Sequence, residues 1–301
     1  MKRLRMRWLV VPILASLALA CGGWPHGPAS SGAGSRPNDR VHAQAQAALD
    51  RWTAAAQAGA GSDIAIVGEA TGQVGDWEEP VGDNNKRALM AGLVRVAADL
   101  PKDAPPPGVV AWADGTSTPV PVPSAVEALD ALARSAGGPC GECHPLEVTS
   151  ARLVTGPVET TRGRATAPIW QFTIQGSRVL ITRVAIAGPV TPQPPPWNAN
   201  NPPVGISIDG AVGLPADARL IVSFVGAPDP GNKACGADYT AEAVESDLAI
   251  VVIVTEHAFP LGGACSAVGA IRTATVQLAS PLGRRAVLEV KEGLPVEVSA
   301  P

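Results

Sequence analysis

The chain has 301 residues, a formal net charge of −4 and a pI near 5.6, with 17% charged and 46% hydrophobic side chains. An acidic balance without a basic stripe excludes nucleic acid as a partner. The apolar content is too high for a disordered chain, although 32 Gly and 30 Pro make it rich in turns.

Residues 1–20, MKRLRMRWLVVPILASLALA, open on Lys2, Arg3, Arg5 and Arg7 and continue as an apolar run from Trp8 to Ala20. That run is shorter than the roughly 20 residues a bilayer core requires. A basic start before a short apolar segment reads as a secretory signal peptide. Its end, Leu17-Ala18-Leu19-Ala20-Cys21, resembles the lipobox of bacterial lipoproteins. That resemblance implies that Cys21 carries a diacylglyceryl group and becomes the new N-terminus. Ala18-Leu19-Ala20 also fits an Ala-x-Ala site for plain secretion. With acylation, residues 21–37, rich in Gly, Ser, Pro and Ala, form a flexible tether from a membrane anchor to the folded body.

A helix is expected over 38–58, with Val41, Ala45, Leu49, Trp52 and Ala56 on one face and Gly59 and Gly61 ending it. "DIAIVGEATGQVG" is a strand candidate that runs into the acidic loop "DWEEPVGDNN". A second helix is expected over 84–100, capped by Asp83 or Asn84, with Leu89, Leu93, Val96 and Leu100 as one stripe. "GVVAWADGTSTPVPVP" reads as a hairpin around Asp114-Gly115. Ser124 and Glu127 form a capping box ahead of a short helix stopped at Gly137-Gly138-Pro139. The strand runs "LEVTSARLVTG", "TAPIWQFTI" and "RVLITRVAI" follow, the last two expected to join at Gly176-Ser177 with Gly first in a two-residue loop.

Residues 188–204, GPVTPQPPPWNANNPPV, are expected to be an extended connector or edge loop, because proline cannot donate to a ladder. This places an α+β domain at 38–187 and a β-sandwich-like domain at 205–301, so the fold class is α+β and β-rich. Strands are expected at "GISID", "ARLIVSFVG", "DLAIVVIVTEH", "RTATVQLAS" and "RRAVLEVKE". The apolar run Leu248 to Val254 suits a strand buried on both faces. Ala286, Leu288 and Val290 alternate with Val287, Glu289 and Lys291, which predicts one face in and one mostly out.

The segments "GQVGDWEEPVGDNNKRALMAGLV", "PLEVTSARLVTGPVETTRG" and "ACGADYTAEAVES" resemble secreted lipoproteins of high-GC Gram-positive bacteria that have no assigned activity. The likeness covers most of 62–301 and implies a lipid-anchored protein on the outer face of the cytoplasmic membrane. It carries over no site residues.

Beyond Cys21 the chain has Cys140, Cys143, Cys235 and Cys265, an even number that in an exported protein points to two disulfides. Three pairings exist; Cys140–Cys143 with Cys235–Cys265 puts one bridge in each domain. The stretch Cys140-Gly141-Glu142-Cys143-His144 also admits other readings. As a haem c site it would use Cys140 and Cys143 as thioether anchors and His144 as axial ligand. Against this, Pro145 pushes His144 out of the α region and a strand follows, whereas such motifs open helices. A redox dithiol would sit between a strand and a helix start, the reverse of this order. A metal corner would need a fourth ligand.

Asp76, Glu78, Glu79 and Asp83, beside Asn84 and Asn85, are the densest oxygen cluster and a weak Ca²⁺ candidate without EF-hand spacing. Trp77 and Trp197 lie in loops where a ring can stack on a sugar or peptide ligand. Ser207, Asp209 and His257 offer the residue types of a nucleophilic triad without supporting spacing. The sequence therefore favours a non-enzymatic binding or structural module of the cell envelope with no cofactor and an unassigned envelope ligand. Its rival is a redox or electron-transfer protein built on Cys140, Cys143 and His144.

Overall fold

The computed structural model of the chain describes residues 37–58, 64–77, 82–135, 138–259, 265 and 267–301. Cys21, the signal segment 1–20 and all but the last residue of the tether lie outside the described residues. So do Glu78 and Glu79. The fold is α+β and rich in strand.

The first half is built on one seven-stranded sheet: β1 (Thr71–Val74), β2 (Val94–Val96), β3 (Gly108–Trp112), β4 (Ser117–Val120), β5 (Leu146–Thr160), β6 (Gly163–Ile174) and β7 (Leu180–Val184). The long strand β6 organises it. One edge of β6 pairs with β5 over nearly its full length; the other is shared, with β3 at Ala165 and Thr166 and β7 from Ile169 to Thr173. β1 extends the sheet beyond β7, and β2 runs parallel to the start of β5. Of the expected strand at 63–75 only β1 forms, with Ala65 and Ile66 making isolated bridges to Val190 and Thr160. The hairpin at Asp114-Gly115 is present, with Gly115 at φ 83 and the Asp114 carboxylate accepting the Thr116 amide. The turn after β6 spans Ile174 to Ser177 with Gly176 (φ 72) as its third residue, not at the first central position of a two-residue loop.

The second helix is shorter than its apolar stripe predicts. α2 (Gly82–Met90) stops where Gly92 adopts φ 67; Gly92 N–H bonds the Leu89 carbonyl and Leu93 N–H the Ala88 carbonyl. This pair of bonds is a Schellman close, which needs a residue tolerant of positive φ. Leu93 still packs in the core beside Leu89, but Val94–Val96 become strand. α3 (Ala125–Ser135) starts at the capping box. The Ser124 hydroxyl accepts the Glu127 amide at 3.2 Å, and the Glu127 carboxylate accepts the Ser124 amide at 2.8 Å. It buries Ala125, Ala128, Leu129 and Leu132 against a core that includes Trp170, Phe172 and Ile181.

The second half has three layers. α1 (Pro37–Ala58) lies on a three-stranded sheet of β10 (Ala237–Glu245), β11 (Ala249–Ala258) and β13 (Ala286–Glu289). That sheet faces a four-stranded one in the order β12 (Ala270–Gln277), β9 (Arg219–Gly226), β8 (Gly210–Val212), β14 (Glu297–Ser299). Ile250, Val252, Val254 and Val287 point into the sandwich beside Leu220, Phe224 and Val276. Ala249, Val251, Ile253, Ala286 and Leu288 point the other way, under Ala45, Leu49 and Trp52 of α1. β11 is thus buried on both faces, as its unbroken apolar run requires.

The same sandwiching corrects the expectation for β13, all four of whose residues are buried. Val287 fills the sandwich core. Glu289, 8% exposed, turns back to accept the backbone N–H groups of Lys291, Glu292 and Gly293. "GISID" supplies only an Ile206–Val254 bridge, and β8 begins after it. β10 was not among the expected strands: its sequence mixes Asp, Glu and Thr with Ala, yet Tyr239, Ala241 and Ala243 cover the sandwich core.

α1, grouped by its position in the chain with residues 38–187, packs on the sheet of the second half. Its Ala45 and Ala48 let the helix backbone approach closely. The proline-rich connector holds no regular element and is pinned at both ends. Val190 N–H bonds the Ile64 carbonyl, while the Gln44 amide both donates to and accepts from the Val204 backbone at 2.9 and 3.0 Å. The same Gln44 nitrogen donates to the Val290 carbonyl at 2.8 Å.

Candidate functional site

A groove of about 1040 Å³ lies between the two halves of the folded body. β1 supplies Thr71, Gly72 and Gln73 to one wall, and β7 supplies Arg183, which pairs with Thr71 across the ladder. The last turns of α2 and α3 bring Lys86, Leu89, Met90, Leu132 and Ser135. The start of the connector and the Leu294–Pro295 turn close the far side. The two helical contributions follow from local stop signals: the Gly92 close leaves Met90 on the rim at 65% exposure, and Ser135 ends α3 by donating to the Leu132 carbonyl.

Arg183 is the polar centre of this groove. Its Nη1 donates to Thr71 Oγ1 at 2.6 Å and to Ser135 Oγ at 3.2 Å. Among the described residues its hydrogen-bond partners are hydroxyls, and no ion pair includes it. Burial, with Arg134 nearby, lowers its pKa from the ordinary guanidinium value; an arginine stays charged regardless. A half-buried cation is therefore held by neutral groups in a mostly apolar cleft. By contrast, Arg285 is satisfied within the sandwich, paired with Glu245 at 2.6 Å. A smaller cleft of about 280 Å³ shares Ile66, Glu69, Ala70 and Gly72 with the groove, and its Arg164 is paired with Glu159 at 3.5 Å.

The cysteines pair as Cys140–Cys143 and Cys235–Cys265, with Cα atoms 5.5 and 5.6 Å apart. These separations lie within the range a disulfide spans. The first bridge closes an exposed loop between α3 and β5; the second ties the β9–β10 connection to the chain ahead of β12. His144 is exposed. Among the described residues its backbone, not its ring, is hydrogen-bonded: its N–H donates to Asn84 Oδ1 at 2.8 Å and its carbonyl accepts from Asn84 Nδ2 at 3.2 Å. Asn84 thus fixes the CxxC loop to α2.

The other candidates disperse. Asp76 is exposed, Glu78 and Glu79 lie outside the described residues, and of Asp83 only the helical backbone is described. Among the described residues no three His, Cys, Asp or Glu side chains converge. His257 hydrogen-bonds Thr240 on the neighbouring strand at 2.9 Å; neither Ser207 nor Asp209 bonds to it. Trp197 is 74% exposed on the connector. Trp77 donates its indole N–H to the Gln73 side chain, which places it next to a groove residue, although neither tryptophan lines the groove. Sequence reading missed Arg183, Thr71, Ser135 and Met90. The one available signal was a charge inside "LITRVAI", a mostly apolar run.

Comparison of the chain with protein-family models, with curated proteins and with solved structures gave no match.

Proposed function

We propose that this is an exported, lipid-anchored cell-envelope protein that works without catalysis, binding a small ligand in the groove between its halves. The observation that carries the reading is Arg183, a half-buried guanidinium held by two hydroxyls in a cleft of about 1040 Å³. Ligand pockets are of this kind: concave, mostly apolar, with a few placed polar groups, and roughly 300–1,000 Å³ in volume. The described lining offers no His or Cys to act as base or nucleophile. Export, the anchor at Cys21 and the outer-face location rest on the signal-like start and lipobox resemblance. Metabolic labelling with an alkyne fatty acid should tag the chain, and Cys21→Ser should abolish the tag; persistent labelling refutes the anchor. Envelope extracts should shift the methyl resonance of Met90, on the groove rim, and the absence of any shift refutes the binding site.

A second reading keeps redox chemistry at Cys140–Cys143, favoured by the exposure of Gly141 and Glu142 in that loop. There the bridge would take two electrons and two protons from an external dithiol, leaving two thiols and an oxidised donor. Equilibration against dithiol buffers tests it: selective reduction of this bridge within the range of envelope oxidoreductases supports the reading, and resistance throughout that range rejects it.

A further inference from the structure

Taking the groove as the binding site, we infer that its ligand is an apolar monocarboxylate, its carboxylate on Arg183 and its apolar body along Leu89, Met90 and Leu132. The argument begins with the donor inventory of arginine. A guanidinium has five N–H groups, and the two on Nη1 meet Thr71 Oγ1 at 2.6 Å and Ser135 Oγ at 3.2 Å. These bonds fix the plane of the group and leave Nε–H and the two Nη2–H groups. One edge made by Nε and Nη2 presents two parallel donors, the spacing that a planar carboxylate accepts in bidentate fashion.

The surrounding charge selects a single negative charge. Lys86 and Glu69 both line the groove with opposite sign, so the wall as a whole offers the charge of Arg183 alone. A doubly charged head would need Lys86, the second cation of the lining, whose charge Glu69 already offsets within the groove. The remaining walls combine Leu89, Met90, Leu132, Val190 and prolines with Gln73 and Thr191, and no aromatic side chain is among the described lining residues. Met90 is unbranched and exposed at the rim, the kind of side chain that adapts to varied apolar bodies. The cleft volume of about 1040 Å³ leaves room for an extended chain rather than a small acid.

The test uses the secreted Cys21→Ala chain, which needs no detergent, labelled at the methionine methyl carbon. The Met90 signal is assigned by its loss in Met90→Leu. Dodecanoate, dodecanol and dodecyl phosphate are titrated by calorimetry while the Met90 methyl is followed. Dodecanoate should shift Met90 and bind at least about tenfold tighter than dodecanol, the effect of one charge-assisted hydrogen-bond pair. Dodecyl phosphate should bind no tighter than dodecanoate. Arg183→Met should weaken dodecanoate by roughly 10- to 100-fold without changing dodecanol. Arg183→Lys, which keeps the charge and loses the fork, should fall between, and it carries the test should Arg183→Met fail to fold. Equal affinity for alcohol and carboxylate, or a preference for the phosphate, with Met90 still shifting, overturns the carboxylate assignment and leaves the groove as a binding site. No Met90 shift with any of the three overturns both.

Discussion

Replacing Gly293 by Ala separates two costs that the seating of α1 imposes. Gly293 lies at φ 71 in the turn after β13, and a Cβ there would meet Ala48 Cβ and Arg51 Nη2, each at 2.7 Å, and Ala48 Cα at 3.3 Å. Positive φ costs a non-glycine residue about 1–2 kcal/mol. The clash adds an overpacking cost of roughly 1–3 kcal/mol, since Ala48 belongs to the helix and cannot rotate away. The total is about 2–5 kcal/mol. Gly283→Ala is the control: at φ 62, its nearest neighbour would be the Pro281 carbonyl oxygen at 3.9 Å, so it incurs the backbone cost alone. Urea unfolding of both variants, followed by circular dichroism and tryptophan fluorescence, should place Gly293→Ala below Gly283→Ala by at least about 1 kcal/mol. Equal destabilisation would refute the close contact between α1 and this turn, and with it the three-layer arrangement.

Loss of the Cys235–Cys265 bridge should cost about 3.5 kcal/mol from chain entropy and loss of Cys140–Cys143 only about 2, measured by chemical unfolding of the two Cys→Ser pairs. Ser124→Ala should cost about 1 kcal/mol of stability by removing an N-cap. The Ser124 backbone and side-chain hydrogen bonds hold the Glu127 carboxyl below its usual range. Its folded pKa is therefore depressed, so its stabilising contribution is present above the unfolded pKa and lost as pH falls through the folded one; Ser124→Ala should flatten the acid limb of the stability–pH curve. Asn84→Ala should release the CxxC loop, read as faster amide exchange at His144 with the groove unaffected.

Where local rules act over a few residues, the fold was legible. The capping box at Ser124 and Glu127, the Asp114-Gly115 hairpin and the face of α1 are all short-range patterns. The failures have distinct physical causes. Leu93, Val96 and Leu100 kept helical spacing, yet Gly92 closed α2 because its positive-φ turn satisfies the last carbonyls. Glu289 read as an outward residue because a sequence does not reveal that α1 covers the second face of its sheet, nor that three backbone amides await the carboxylate. β10 escaped because an edge strand tolerates Asp and Glu. The groove was the least visible feature: Thr71, Ser135 and Arg183 come from β1, α3 and β7, and only the pairing of β1 with β7 and the packing of α3 bring them together.

The Gln44 clamp has a temporal side. Gln44 bonds Val204, 160 positions later in the chain, and Val290, 246 positions later. Because a polypeptide is made from its N-terminus, α1 exists well before the strand that completes its seat. Until β13 arrives, Leu49 and Trp52 have no finished surface to cover, and the helix must wait as an amphipathic segment with its apolar side uncovered. Such distant pairings make for slow folding and a long exposure of sticky surface. The first element of the described residues is thus among the last to be secured, and a nascent chain cut short before residue 286 would leave that helix without its berth.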